Sequence, residues 1–235
     1  MPCFWRFKRI IMNWYNTLIK DDRWKMYASG VKETLLISLG AIALGILLGI
    51  IVALIKYVNK KYGRFKIAAK ICDLYLTVFR GTPVYVQLLI MYLVVLVALP
   101  TRTTAIVTFG INSGAYVAEI VRGGLESVDD GQLEAGASLG LTRTQVMLFI
   151  ILPQGFRRAL PALFNEFIAL IKETSIVGTI GVVDITKVAE RIIARTYEPF
   201  TPYLVTALIY LVIVIVLTQL LKLLEKKLAK GDRNG

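Results

Sequence analysis

Charged and amide side chains sit inside long apolar runs of this chain, and they are the residues that could do chemistry. Glu166, Lys172, Glu173 and Ser175 share one such run, and Asp184 follows it. Asn112, Ser113, Tyr116 and Glu119 share another. A charged group at bilayer depth costs at least about 2.5–3.5 kcal/mol on insertion scales, so it faces protein or a water-filled path. Glu166 and Glu173 are seven residues apart, hence on one face of a helix. Carboxylates so placed suit the binding of an ion or a polar solute better than hydrolysis. The plainer alternative is that these groups only bond one helix to another, each contact contributing under about 1–2 kcal/mol.

Other chemistries are excluded. The 235 residues include no histidine, which removes His-based catalysis and His-ligated metals. The two cysteines, Cys3 and Cys72, are far apart and form neither a metal spacing nor a disulfide framework. No G-x-x-x-x-G-K-[ST] loop occurs, so the chain does not cradle a nucleotide phosphate in the usual way, and no enzyme active site is read. The net charge is +12, but the basic residues lie beside apolar runs rather than along one polar face. That arrangement favours membrane orientation and anionic lipid over nucleic acid.

Hydrophobic residues make up 56% of the chain, and the mean hydropathy is +0.65, the composition of an all-α integral membrane protein. Five spans are predicted, at about residues 35–57, 84–99, 103–121, 162–182 and 203–221. In the first, Ala41, Gly45, Gly49 and Ala53 recur every four residues and leave a smooth face for a neighbouring helix. Gly81 and Pro83 break the chain where the second begins. The third is the least suited to lipid, and its polar residues place it inside the bundle or along a cavity. The fifth is apolar on every side, as a peripheral helix would be. Residues 1–30 read as an amphipathic interfacial segment, with Trp5, Phe7, Ile10, Ile11, Trp14 and Leu18 at helical spacing. Arg6, Lys8 and Arg9 are not followed by the apolar run and small-residue site of a cleavable signal.

Between the third and fourth spans lies a stretch with the make-up of a water-facing loop, Glu134 to Pro161. It reads as two short helices. Asp129 caps the first, with Gln132 as a capping-box partner, and Gly140 ends it in a left-handed turn. Thr142 opens the second with Gln145 in another capping box, and Pro153 is expected to stop it. Such a finger looks built to dock into another protein.

The finger resembles the EAA loop of ABC-importer permeases, in which an E-A-A triplet is followed by a Gly and then by I-x-L-P. Glu134, Ala135, Gly140, Ile150, Leu152 and Pro153 match. Gly136 stands where the family has Ala, which weakens a regular helix by roughly 1 kcal/mol. The run from Phe79-Arg80-Gly81-Thr82-Pro83 to Gln87-Leu88 resembles the polar-amino-acid branch. So do Asn112-Ser113-Gly114-Ala115-Tyr116 through Glu119 to Arg122-Gly123-Gly124, Lys172-Glu173-Thr174-Ser175, and Gly181 to Thr186. The resemblance covers about residues 30–225.

The resemblance implies a type I importer permease fold of about five transmembrane helices. Residues 31–225 form the permease domain, residues 126–161 its coupling loop, and residues 226–235 a basic cytoplasmic tail. It implies a second permease subunit, identical or related, two copies of an ATPase subunit that bind the ATP and Mg, and an extracytoplasmic substrate-binding protein. No cofactor is expected in this chain. The loop, with Glu134, Ala135, Gly136, Gly140 and Leu141, would fit a groove on the ATPase. ATP-driven movement of that loop would alternate access to a site for a polar amino acid near the membrane midplane. The expected substrate contacts are Asn112, Ser113, Tyr116, Glu119, Glu166, Lys172, Glu173, Ser175 and Asp184. Carboxylates would meet the α-ammonium or a cationic side chain, and Lys172 the α-carboxylate.

The run of Lys56, Lys60, Lys61, Arg64, Lys66 and Lys70 places the loop after the first span inside. Residues 1–32 also carry many Lys and Arg, only partly offset by Asp21, Asp22 and Glu33, so charge alone leaves the orientation open, and it is the resemblance that implies a multi-pass protein of the cell membrane with its N-terminus outside and its C-terminus in the cytoplasm. A different class of function also accommodates the buried charges: a self-contained ion-coupled transporter or channel, in which Glu166, Lys172 and Glu173 line an ion path.

Overall fold

The computed structural model describes residues 12–233, with side chains as far as residue 226. Residues 1–11, which carry Trp5, Phe7, Ile10 and Ile11 of the expected amphipathic segment, lie outside the described residues. Nine helices are named here: α1 (Arg23–Tyr62), α2 (Lys66–Gly81), α3 (Val84–Ile90), α4 (Thr101–Glu126), α5 (Gly131–Ser138), α6 (Arg143–Val146), α7 (Leu152–Glu173), α8 (Ile185–Thr196) and α9 (Phe200–Arg233). Four helical stretches are long and apolar enough to cross a membrane. A fifth span is made if α2 and the stretch Val84–Val95 are taken together, bent by 105°.

The core is α1 laid along α4. Ala41, Gly45, Gly49 and Ala53 are all buried, as their spacing predicts, and the fit is close. A Cβ on Gly49 would lie 2.5 Å from Val117, and one on Gly110 would lie 2.7 Å from Leu44. Backbones approach this closely only where side chains are absent, and in lipid such van der Waals packing is what holds helices together. α4 is the most enclosed span, and α9 the least, with 17% of its apolar window buried. α7 closes the core from the other side of α4, through Leu163, Leu170 and Leu125 among others.

At the end of the molecule away from the finger, Tyr27, α8 and Val205 form a smaller cluster. Trp14 and Leu18 pack on it, so the described part of the N-terminal segment is bound to protein. The helix α2 is not among the predicted elements. One of its faces (Ala69, Cys72, Leu76) is buried, while Ile67, Ile71, Leu74 and Val78 are exposed. Gly63, at φ +67, ends α1 and accepts the turn into it.

Pro153 does not stop the second helix of the finger. It occupies the second position of α7, and a widened π turn, Met147–Ile151, leads into it. Proline lacks the N–H and crowds the carbonyl four residues back, and a wider turn relieves both. The finger's second helix therefore runs directly into the membrane helix as one continuous stretch, Arg143–Ile180.

Candidate functional site

The break between α2 and α3 lies beside the middle of α4, deeper than the helix entry expected for it. Breaking a helix frees backbone carbonyls that lipid cannot satisfy. Here two buried amides satisfy them. Gln87 Nε2 donates to Phe79 O (2.9 Å), Thr82 O (3.1 Å) and Thr82 Oγ1 (2.8 Å). Asn112 Nδ2, from α4, donates to Phe79 O and to Gln87 Oε1, each at 3.0 Å. Asn112 is thus engaged with the broken helix. Gln87 was not among the expected site residues, although a lone amide in an apolar run was a signal available to find it.

One residue on, Ser113 Oγ donates to Glu166 Oε1 at 2.8 Å, joining α4 to α7. The Asn112–Gln87 pair and the Ser113–Glu166 pair therefore lie at one level of α4, the first toward the broken helix and the second toward α7. Tyr116, one turn further along α4, keeps 36% exposure, with the Arg80 guanidinium 5.5 Å from its ring centre. Lys172 and Glu173 lie exposed at the end of α7. Ser175 follows in the 3-10 turn Thr174–Ile180, half-buried.

Two expected contacts are placed elsewhere. Glu119 belongs to a charge network nearer the finger: it meets Arg122 at 2.5 Å and Lys56 at 4.0 Å. Lys56 also pairs with Asp73 of α2, and Glu126 with Arg122 and Lys60. The Glu119 carboxylate is thus held by Arg122 of α4 and Lys56 of α1, and the second of these is not revealed by spacing along one helix. Asp184 is fully buried and caps α8, accepting from Thr186 N (3.1 Å) and Lys187 N (3.0 Å). An extended residue before a helix whose carboxylate accepts the first amides is a common N-terminal cap, and it leaves little of this carboxylate for a ligand.

The finger is two helices joined by a tight turn. Asp129 Oδ1 accepts from Gly131 N at 2.6 Å, but Gln132 does not complete a box with it and instead lies 3.5 Å from Gln154. Gly140, at φ +76, closes α5 with Leu141 N donating to Gly136 O and its own N to Ala137 O, the two bonds of a Schellman turn. Thr142 and Gln145 make the full reciprocal box. Gly136 is the buried residue of α5: a Cβ there would lie 2.6 Å from Val146. The departure from Ala thus lets the two helices touch. Glu134, Ala135 and Leu139 are left facing outward, Leu139 at 79% exposure.

A family model described as "Binding-protein-dependent transport system inner membrane component" matches residues 45–230. The arginine transport system permease protein ArtQ of Bacillus subtilis is 38% identical over 207 residues, 86% of this chain and 92% of the relative. The glutamine transport system permease protein GlnP of Escherichia coli is 37% identical over 204 residues, 85% of this chain and 91% of the relative. A crystal structure of an amino acid ABC transporter with histidines superposes with a TM-score of 0.79 at 39% identity, over 86% of this chain and 94% of that one. The MetNI methionine ABC transporter, at 18% identity and a TM-score of 0.76, shares the fold. The chain belongs to the family of inner membrane components of binding-protein-dependent transport systems.

Proposed function

We propose that the chain is the permease subunit of an ABC importer that carries a polar amino acid into the cell. It has no nucleotide-phosphate loop of its own, so work must come from a partner ATPase. The observation that carries this reading is the finger: a two-helix unit with one face outward, fused through a continuous helix to the span that holds Glu166. Force on Glu134, Ala135, Leu139 and Leu141 is transmitted along α7 to Ser113–Glu166. Two ATPase copies, a second permease and an extracytoplasmic binding protein complete the assembly. The finger faces the cytoplasm, with the C-terminus on the same side and the N-terminus opposite.

Ser113, Tyr116 and Glu166 line the substrate path in this reading, with Lys172, Glu173 and Ser175 further along α7 and Asn112 holding the wall. The half-buried Glu166 carboxylate favours an ammonium or guanidinium group, and the arginine permease among the relatives fits that chemistry. Glu119 and Asp184 serve the scaffold. Glu134→Arg, assayed in vesicles with the ATPase and binding protein present, is expected to stop ATP-driven uptake and to weaken ATPase co-purification while the permease stays in the membrane. Wild-type uptake by that variant, or uptake by the purified chain alone on an ion gradient, would overturn the reading.

A further inference from the structure

A cavity of about 390 Å³ opens at the finger end, between the end of α1 and the start of the finger's second helix. Tyr62, Arg64 and Arg143 form its polar side, and Phe65, Met147 and Leu148 its apolar side. The Arg143 guanidinium lies 5.6 Å from the centre of the Tyr62 ring, which holds it in the wall. The Tyr62 hydroxyl is buried and has no hydrogen-bond partner among the described residues. The nearby lysines are neutralised, Lys60 by Glu126 and Lys61 by Asp130. Arg64 and Arg143, among the described residues, have no carboxylate within ion-pair distance.

Two uncompensated guanidiniums and an idle hydroxyl in one concave site call for an anion with several acceptor oxygens, the chemistry of a phosphate. The apolar side decides its source. Phe65 is 64% exposed and Leu148 51% exposed. A free phosphate would leave that surface bare. We propose that this cavity binds the headgroup of an anionic phospholipid of the finger-side leaflet. Its phosphate sits between Arg64 and Arg143, and its acyl chains lie along Phe65, Met147 and Leu148. The lipid then bridges α1 and the finger. This rests on the reading that the finger end meets the cytoplasmic surface of the membrane.

The test uses the complex with its ATPase subunits, reconstituted in phosphatidylcholine with a small share of phosphatidylglycerol. The phosphatidylglycerol retained per complex is measured by mass spectrometry after extraction. Wild type is expected to retain it, and Arg64→Gln with Arg143→Gln to hold it roughly thirtyfold more weakly. Lys66→Gln with Lys70→Gln removes the same charge outside the cavity and is expected to retain it as wild type does. Excess inorganic phosphate is expected to leave retention unchanged. Equal retention in both double variants, or displacement by phosphate, overturns the proposal. So does loss of the ATPase rather than the lipid from Arg64→Gln/Arg143→Gln, which would make the cavity a protein contact. Thr144 also lines the cavity, so should that variant not assemble, Thr144→Glu places a carboxylate in the wall, and unchanged retention there overturns the proposal equally. Assembly with the ATPase is read in every sample, so a failed transport reading shows separately as a wild-type chain that recruits no ATPase.

Discussion

Asn112 and Gln87 join across a broken helix: the Asn112 amide donates to Gln87 Oε1 at 3.0 Å, and both amides donate to the same free carbonyl, Phe79 O. Gln87→Leu keeps the approximate volume but leaves Thr82 O and the Asn112 amide short of a partner. Each buried group so stranded costs about 1–3 kcal/mol. The expected outcome is a lower thermal midpoint of the purified complex and impaired uptake, with Gln87→Glu partly preserving the acceptor for Asn112. A Gln87→Leu complex that melts and transports as wild type would remove the pair from any role in holding the break.

The contact of Gly136 with Val146 sets two effects against each other. Alanine is favoured over glycine in a helix by about 1 kcal/mol. A Cβ placed 2.6 Å from Val146 forces the two finger helices apart, and overpacking of this kind costs typically about 1–3 kcal/mol. Packing therefore wins narrowly, unless Val146 yields. Gly136→Ala is expected to loosen the finger and lower ATPase co-purification. Gly136→Ala with Val146→Ala should recover it, since the second change removes the atoms that collide. Full coupling in the single variant would show that the finger tolerates the spacing.

The spans were legible because lipid demands long apolar runs, and the small-residue stripe of α1 announced its buried face. Its partner was not: that Gly49 meets Val117 is a property of two helices distant in sequence. The dense lysines before α2 hid an amphipathic helix whose buried positions, Ala69, Cys72 and Leu76, are small or few. Pro153 read as a stop because a widened turn leaves no mark on residue type. Among the site residues, Ser113 and Glu166 were legible as polar groups that lipid would reject. Glu119 and Asp184 satisfied the same criterion but find partners close by, Arg122 in one case and the amides of α8 in the other. A buried polar side chain states only that it needs a partner, and the fold supplies which.

Asp130 ties the start of the finger to the end of α1. Lys61 Nζ donates to its Oδ1 at 2.6 Å, and this bond holds the Asp130 carboxyl below its usual range. A depressed carboxyl pKa contributes stability that is fully present above the unfolded value and lost as pH falls through the folded one. Asp130→Asn should therefore differ from wild type by a small constant gap in thermal midpoint from neutral to mildly acidic pH. The gap closes below the ordinary carboxylate range, and because the pair is exposed it also shrinks in high salt. A gap that persists unchanged in acid would mean that the carboxylate charge contributes nothing there.

Glu166→Gln separates charge from hydrogen bonding at the Ser113 contact. The amide oxygen still accepts from Ser113 Oγ, so the joint between α4 and α7 is retained while the negative charge is lost. A charge-assisted hydrogen bond contributes about 1.5–3 kcal/mol, and a neutral one about 0.5–1.5. Uptake of a cationic amino acid such as arginine should therefore fall by roughly tenfold, as an effect on affinity. A neutral one such as glutamine should change far less. Ser113→Ala leaves the charge and removes the hydroxyl, so it should weaken both substrates modestly and alike. Competition uptake in vesicles containing the ATPase and binding protein measures all four combinations. If arginine and glutamine respond equally to Glu166→Gln, the carboxylate is a structural joint, and substrate choice lies with other residues or with the binding protein.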